Sequence, residues 1–188
     1  MPYAKIINTV GCFMLDLFVY DANDDKRVPA FVEQATQQDF EKTFDWQTSW
    51  LSAAAASMPN KVALRRSDTK ELLGLMSYLV DGANLMVEIV YVESAGHSNA
   101  NMLRESGGQK KYIGIARALF AYAVDVSKKA GCDGVLVFKA KTSELVEYYI
   151  REFGANRAGS YDPFRLVIWE DAADRIISEF DGRRPENG

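Results

Sequence analysis

Two apolar strand patterns, separated by one long amphipathic helix, constrain the fold of this chain most strongly. The first strand pattern is LMVEIVYVE, which begins at Leu85, and the second is GVLVF, which begins at Gly134. Between them, residues 112–130 place a set of apolar residues on one helical face: Ala116, Leu119, Phe120, Ala123, Val126 and Ala130. A strand–helix–strand unit of this kind makes a right-handed crossover between two parallel strands. The sequence therefore predicts a parallel pair of strands inside a mixed sheet.

The remaining patterns place this unit in a longer series of strands and helices. Residues 6–20 read as a strand, and AFVEQATQQDFEKTF and WQTSWLSAAAAS read as two helices, with Pro29 at the start of the first. KVALRR and ELLGLMSYLV read as strands, and Asp81-Gly82 predicts a hairpin turn into the next strand. SELVEYYIREF and EDAADRIISEF read as helices that flank the strand FRLVIW. The predicted order is strand, two helices, three strands, helix, strand, helix, strand, helix.

The composition fits one domain of 188 residues, and we expect residues 181–188 to form a flexible tail. The net charge of −4 disfavours nucleic acid and membrane surfaces as partners, because both usually require a basic face. Polar residues interrupt the apolar run near residue 6, so we expect neither a leader peptide nor a membrane span. Cys12 and Cys132 form no disulfide or metal motif and are expected to be buried thiols in a cytoplasmic protein.

The segment KKYIGIARALFAYAV, which begins at Lys110, opens the long helix on a glycine. The first amide groups of a helix have no intrahelical acceptor and carry partial positive charge, so they can bind a phosphate. Gly114 lacks a Cβ and allows a phosphate to approach the backbone, while Lys110, Lys111 and Arg117 add positive charge. We therefore expect a phosphate site here, with a plain helix start and solvated lysines as the alternative.

This loop resembles the pyrophosphate loop of the GNAT superfamily, the acyl-CoA-dependent N-acetyltransferases. The family pattern is Gln/Arg-x-x-Gly-x-Gly/Ala, and with lysine in first place it is matched by Lys111-Tyr112-Ile113-Gly114-Ile115-Ala116. The strand MVEIVYVE resembles the family's fourth strand, and the helix that ends near Gly154 resembles its last motif. The resemblance covers residues 61–169. It implies an α/β domain whose mixed central sheet, with antiparallel strands plus a parallel pair, is flanked by helices.

The resemblance also implies an enzyme. Acetyl-CoA would be the co-substrate, and the acceptor would be a primary amine of a small molecule, a peptide or a protein. Residues 111–117 would bind the diphosphate, and the backbone of Val90, Tyr91 and Val92 would pair with the pantetheine arm. A homodimer is an open option because many relatives dimerise. The rival interpretation is a non-catalytic acyl-CoA-binding or interaction protein, since a fold does not fix a function.

The reaction needs a base that takes a proton from the amine. Glu88 matches the glutamate that histone-type enzymes of the family carry on this strand, and we prefer it because its deep position would raise its pKa. Glu93 is the alternative, in a more ordinary environment near the strand's end. A regular strand would place the two on opposite faces, and a bulge would change that relation. Either glutamate is otherwise a solvent-facing or ion-paired residue.

The reaction also needs a proton donor for the leaving thiolate. The position of the family's tyrosine is occupied here by Ile150. Tyr149, with Tyr148 next to it, is the candidate, but a helix turns about 100° per residue, so neither points where the family's tyrosine does. Both tyrosines are equally typical of helix packing. His97 lies in the long polar loop 94–111, where it would either contact the substrate or be solvated.

Overall fold

The computed structural model describes residues 15–182 of the chain, and the structural statements below refer to that part. Its nine strands are β1 (Phe18–Asp21), β2 (Lys26–Gln34), β3 (Lys61–Arg66), β4 (Leu72–Asp81), β5 (Met86–Ser94), β6 (Tyr112–Ile113), β7 (Leu136–Lys139), β8 (Asn156–Arg157) and β9 (Arg165–Ile168). They form one sheet with the order β6-β1-β2-β3-β4-β5-β7-β9-β8. Every neighbouring pair is antiparallel except β5 and β7, which are parallel. The predicted mixed sheet with a parallel pair is therefore confirmed.

Six helices flank this sheet: α1 (Gln37–Glu41), α2 (Ala53–Ala56), α3 (Ala100–Ser106), α4 (Ile115–Lys129), α5 (Ser143–Phe153) and α6 (Glu170–Ser178). A 3₁₀ turn at Gly96–Ser98 precedes α3. Helices α4, α5 and α6 bury their apolar faces against one side of the sheet, around Phe120. The segment that contains α1 and α2 covers part of the other side, around Trp50. The core is thus divided by the sheet into a larger and a smaller layer.

The first predicted helix is wrong over most of its length, because residues 26–34 form the strand β2. Val28, Ala30 and Val32 alternate toward the core, and this period of two outweighs the helical spacing of the neighbouring apolar residues. Pro29 is tolerated because it pairs with Phe18, the first residue of β1, and offers its carbonyl group to the amide of Ser67. Only residues 37–41 of the predicted helix are helical.

Other boundaries differ in smaller ways. The second predicted helix is reduced to the four residues of α2, and the long loop contains the helix α3. Residues 6–14 of the first predicted strand, which include Cys12, lie outside the described residues, and so do residues 183–188 of the expected tail. Of the described part of that tail, Asp181 forms an isolated β-bridge with Leu15. Cys132 is buried with a free thiol, as predicted. Within residues 15–182, no helix combines the length and apolarity required to cross a bilayer.

Candidate active site

A gap opens in the middle of the sheet where β5 and β7 separate. The two strands pair only from Val87 to Ile89 on β5, opposite residues 136–138 of β7. Beyond Ile89, β5 continues to Ser94 and pairs only with β4. In the described strand pairs, the edge of Val90, Tyr91 and Val92 that faces β7 therefore has no strand partner. These are the three residues that were predicted to pair with an extended ligand arm.

A β-bulge at Val90 decides which side chains surround the gap. Ser77 of β4 pairs with Tyr91 and the next residue, Tyr78, pairs with Ile89, so Val90 is an extra residue without a partner. Cross-strand partners share a face of the sheet. Glu88 pairs with Val137, on the face opposite Phe120, and Glu93 pairs with Leu75, which packs near Trp50 on that same face. The bulge therefore places Glu88 and Glu93 on one face.

Glu93 is a buried carboxylate with an incomplete set of hydrogen bonds. Its residue is only 5% exposed. Oε1 accepts a hydrogen bond of 2.8 Å from the backbone amide of Gln47, while Oε2 has no partner of normal geometry among the described residues. The indole Nε1 of the buried Trp50 is likewise without such a partner. Burial raises the pKa of Glu93, and the charge of Lys141 and the amide of Gln47 offset part of that effect.

The phenol of Tyr91 lies on the same face and is contacted from both sides. Its hydroxyl group forms short hydrogen bonds with Thr48 Oγ1 and with the ammonium group of Lys141. The ammonium nitrogen also lies 4.3 Å from the centroid of the Tyr91 ring, and Trp50 packs against that ring edge-on at 5.6 Å. Lys141 follows β7, so this contact bridges the gap between the two separated strands.

The environments predicted for the two glutamates are reversed. Glu88 is half-buried, and its carboxylate forms no hydrogen bond or ion pair with another described residue. Glu93, which was expected to be ordinary, is covered by the segment between α1 and α2. That segment is held to the sheet at its start, where Arg65 of β3 donates to the buried Asp39 of α1 at 2.6 Å. No local pattern around Glu93 reveals this cover, because Gln47 and Thr48 are distant in sequence.

Tyr149 lies on the other face of the sheet from Tyr91 and Glu93. It is 8% exposed and packs in the larger core layer. Its ring lies among those of Phe120, Phe138 and Phe153. Burial raises the pKa of Tyr149 well above its usual range. Tyr148 is partly exposed beside it, and Ile150 packs on the same core. The alternative of helix packing therefore describes Tyr149 better than the role of a proton donor does.

The glycine before α4 has the conformation and the space that a phosphate loop requires. Gly114 has φ +92°, a region that favours glycine, and it precedes the first residue of α4. A Cβ built there would meet no other atom within 4 Å. The side chains of Tyr112 and Ile115 are buried, whereas Ile113 is exposed and Ala116 is partly exposed. This segment therefore offers backbone groups and open space to a ligand more than it offers side chains.

The cations near Gly114 are largely engaged by carboxylates. Lys111 lies 2.7 Å from Glu71 Oε1, and Glu71 Oε2 accepts a hydrogen bond of 2.8 Å from the Tyr112 hydroxyl. His97 Nε2 is 3.4 Å from the same carboxylate, and burial lowers the pKa of His97. Sequence reasoning missed Glu71, which binds both ends of the 94–111 loop to the turn before β4. No motif marks it.

The guanidinium group of Arg117 is also engaged by other residues of the protein. It forms a bidentate ion pair with Glu179 and donates to the carbonyl group of Glu152 at the end of α5. Beside it, a cavity of about 450 Å³ lies between β1, the start of α4 and the end of α6. Its lining carries both signs of charge, including Arg27 and Asp16. Lys110 is exposed, and no ion pair joins it to another described residue.

We expect Glu71→Gln to lower the free energy of unfolding by about 1–3 kcal/mol at pH 7, because its partners lose a charged acceptor. These contacts lower the pKa of Glu71 below its ordinary value of 4.5. The stabilisation is thus complete above pH 4.5 and is lost as the pH falls through the folded-state pKa. Urea denaturation of parent and variant between pH 7 and pH 3 measures the difference, which should shrink with acid. Glu147→Gln, which removes an exposed ion pair with Arg157, should change little. A difference that does not depend on pH would contradict this assignment.

Comparison with known proteins reveals a likeness in structure. No protein-family model matches the sequence. No curated protein matches it either. An acetyltransferase of the GNAT family from Listeria monocytogenes superposes with a TM-score of 0.50 at 12% identity, over 74% of this chain and 94% of its own. A structure of AtaTR bound with AcCoA superposes with a TM-score of 0.51 at 14% identity, over 78% of this chain and 97% of its own.

These likenesses confirm the architecture that the loop pattern and the strand order predicted. The mixed sheet, its single parallel pair among the described strands and the helices on both faces agree with them. This chain has the fold of the GNAT acetyltransferases.

Proposed function

We propose that this protein is an acyltransferase that moves an acetyl group from acetyl-CoA to a primary amine. The observation that carries the proposal is the gap between β5 and β7, with the buried Glu93 beside its open end. The free edge of residues 90–92 offers backbone donors and acceptors to an extended arm that contains amide groups. An arm bound there directs its thioester along β5 toward the face that carries Glu93.

In this proposal Glu93 is the base. The attacking amine must lose a proton as the new carbon–nitrogen bond forms and the carbon–sulfur bond breaks. Oε2 of Glu93 is available to accept that proton, because Gln47 occupies only Oε1. A carboxylate whose pKa is raised by burial is also a stronger base than an exposed one. Gln47 and Thr48 form the wall over this carboxylate, and we place the acceptor amine against that wall.

We place the diphosphate of the donor at the start of α4. The open space at Gly114 and the unpaired amides of the first helical turn support this placement. Lys111 is already paired with Glu71, so the backbone carries more of the binding than the lysine does. The complex of AtaTR with AcCoA is consistent with the same class of donor.

Turnover of acetyl-CoA with a panel of amines tests the proposed function. The panel contains primary alkylamines, free amino acids and lysine-containing peptides, and the measurement is release of free CoA thiol together with the mass of the acetylated amine. Amine-dependent release at rates well above the uncatalysed reaction is expected. Binding of acetyl-CoA without release would support the rival, a non-catalytic acyl-CoA-binding protein. If acetyl-CoA neither binds nor releases CoA, it is not the donor.

Acetyl-CoA is expected to stabilise the fold, because a ligand that binds only the native state shifts the unfolding equilibrium. At a hundred times the dissociation constant the gain is about 2.7 kcal/mol. For a domain of this size it corresponds to a rise in Tm of roughly 5–11 °C. Differential scanning fluorimetry with millimolar acetyl-CoA measures it.

Gly114→Glu should abolish most of this thermal shift, because a carboxylate at the helix start repels the diphosphate. The substitution also strains the backbone at φ +92°. Gly131→Glu is the matched control: Gly131 has φ +77°, with open space around it, and follows α4 at its other end. Both variants lose stability, but only Gly114→Glu should lose the response to acetyl-CoA. Equal responses would place the diphosphate elsewhere.

A further inference from the structure

The leaving thiolate of CoA needs a proton, and the structure offers a donor that the sequence did not indicate. Tyr149, the tyrosine predicted for this role, is buried among aromatic rings in the larger core layer, on the other face of the sheet from Glu93. Tyr91 lies on the same strand and the same face as Glu93, two residues before it. It is also the first residue after the bulge at which β5 has left β7. Its phenol therefore stands beside the place where the thioester is expected to lie.

The contacts of Tyr91 fit a phenol that gives up a proton. The ammonium group of Lys141 donates to the phenol oxygen, so the proton of Tyr91 points to another acceptor, with Thr48 Oγ1 within reach. Among the described residues, no carboxylate lies within ion-pair distance of Lys141, although its charge also acts on Glu93. The contact with the ammonium group fixes the position of the phenol oxygen beside the open end of the gap.

We propose that Tyr91 is the acid that protonates the CoA thiolate, and that Lys141 is a positioning residue that holds its phenol across the gap. This inference rests on the proposed acetyl transfer. In the step, the amine nitrogen bonds to the carbonyl carbon and its proton goes to Glu93. The carbon–sulfur bond breaks with its electron pair on sulfur, which takes the phenol proton. The Tyr91 phenolate then recovers a proton from Glu93 or from water, so that no proton is gained or lost.

The test compares two donors that differ in their leaving group. Acetyl-CoA releases an alkyl thiolate that needs protonation, whereas S-(4-nitrophenyl) thioacetate releases an aryl thiolate that leaves without it. With the fastest amine of the panel, Tyr91→Phe should lower kcat with acetyl-CoA by about 10²-fold, in the range for loss of an acid. With the aryl thioester, kcat/KM of the variant should approach that of the parent. The retained ring keeps its packing against Trp50, which circular dichroism and Tm verify.

Controls separate this role from a structural one. Tyr161→Phe changes a fully exposed tyrosine and Lys139→Met a lysine of β7 that pairs with Asp162, and both should behave as the parent. Lys141→Met should lower kcat with acetyl-CoA while kcat/KM with the aryl thioester stays near that of the parent, because the phenol is no longer held across the gap, and Lys141→Arg should restore kcat in part.

Three results would overturn the proposal: parent-like kcat of Tyr91→Phe with acetyl-CoA, an equal loss with both thioesters, or parent-like kcat of Lys141→Met with acetyl-CoA. If the parent releases no CoA with any amine, the proposed acetyl transfer is wrong, and the role of Tyr91 that rests on it is wrong as well.

Discussion

Glu93→Gln is expected to lower turnover of acetyl-CoA by about 10²–10⁴-fold, the range that follows loss of a general base. Glutamine keeps the shape of the side chain and can still accept the amide of Gln47 through its carbonyl oxygen, so the fold and the affinity for acetyl-CoA should stay near those of the parent. Steady-state kinetics, together with the thermal shift caused by acetyl-CoA, separate the two effects. The matched control is Glu88→Gln, on the same strand and face, which should retain most of the rate.

The pH dependence adds a second criterion. Burial raises the pKa of Glu93, so the parent should lose kcat/KM on the acidic side at a pH above the ordinary carboxylate value of 4.5. In Glu93→Gln this limb should be absent. The same shift predicts that Glu93 opposes folding when it is charged: stability is retained at low pH and falls as the pH rises through the folded-state pKa. Full activity of Glu93→Gln together with a loss of activity in Glu88→Gln would identify Glu88 as the base.

Phe120→Ala is expected to cost about 3–5 kcal/mol of unfolding free energy, as removal of a buried aromatic ring usually does. Phe120 lies in α4 with no exposed surface, and its ring packs against three other aromatic rings, those of Phe138, Tyr149 and Phe153. Helix α4, the strand β7 and helix α5 meet at this ring, so the cavity left by alanine cannot close without moving one of them. Tm should fall by roughly 6–20 °C.

Thermal and urea denaturation measure this loss. Phe44→Ala is the matched control, because Phe44 is 83% exposed and its removal should change the unfolding free energy by about 0.5 kcal/mol or less. A similar, small change in both variants would show that the aromatic cluster is not the centre of the core.

The parts of the fold that depend on local pattern were predictable from the sequence. The long helix α4, the apolar strand β7 and the hairpin between β4 and β5 carry strong periodicity or a turn signal within a few residues. Strand β2 was not predicted, because its segment contains both an alternating and a helical spacing of apolar residues. Only its neighbours β1 and β3 decide between them, and their pairing is a long-range property.

The candidate site was predictable in its strand but not in its surroundings. Residues 90–92 and Gly114 were predicted from the residues and the resemblance to a family, and they stay a prediction. The cover over Glu93 by Gln47, the contact of Tyr91 with Lys141 and the anchor at Glu71 join residues that are about 40–50 positions apart. Periodicity and motif spacing hold no information about such pairs. For the same reason, Tyr149 could not be assigned to the core from its position in a helix alone.

The bulge at Val90 means that β5 carries one residue more than its ladder with β4 uses. Because the surplus residue has no partner, deleting it would leave each remaining pair in register and each remaining side chain on its present face, including Tyr91 and Glu93. We expect the deletion to straighten the strand and to allow it to continue beside β7. In that case the opening at the centre of the sheet depends on the presence of one unpaired residue and not on its side chain.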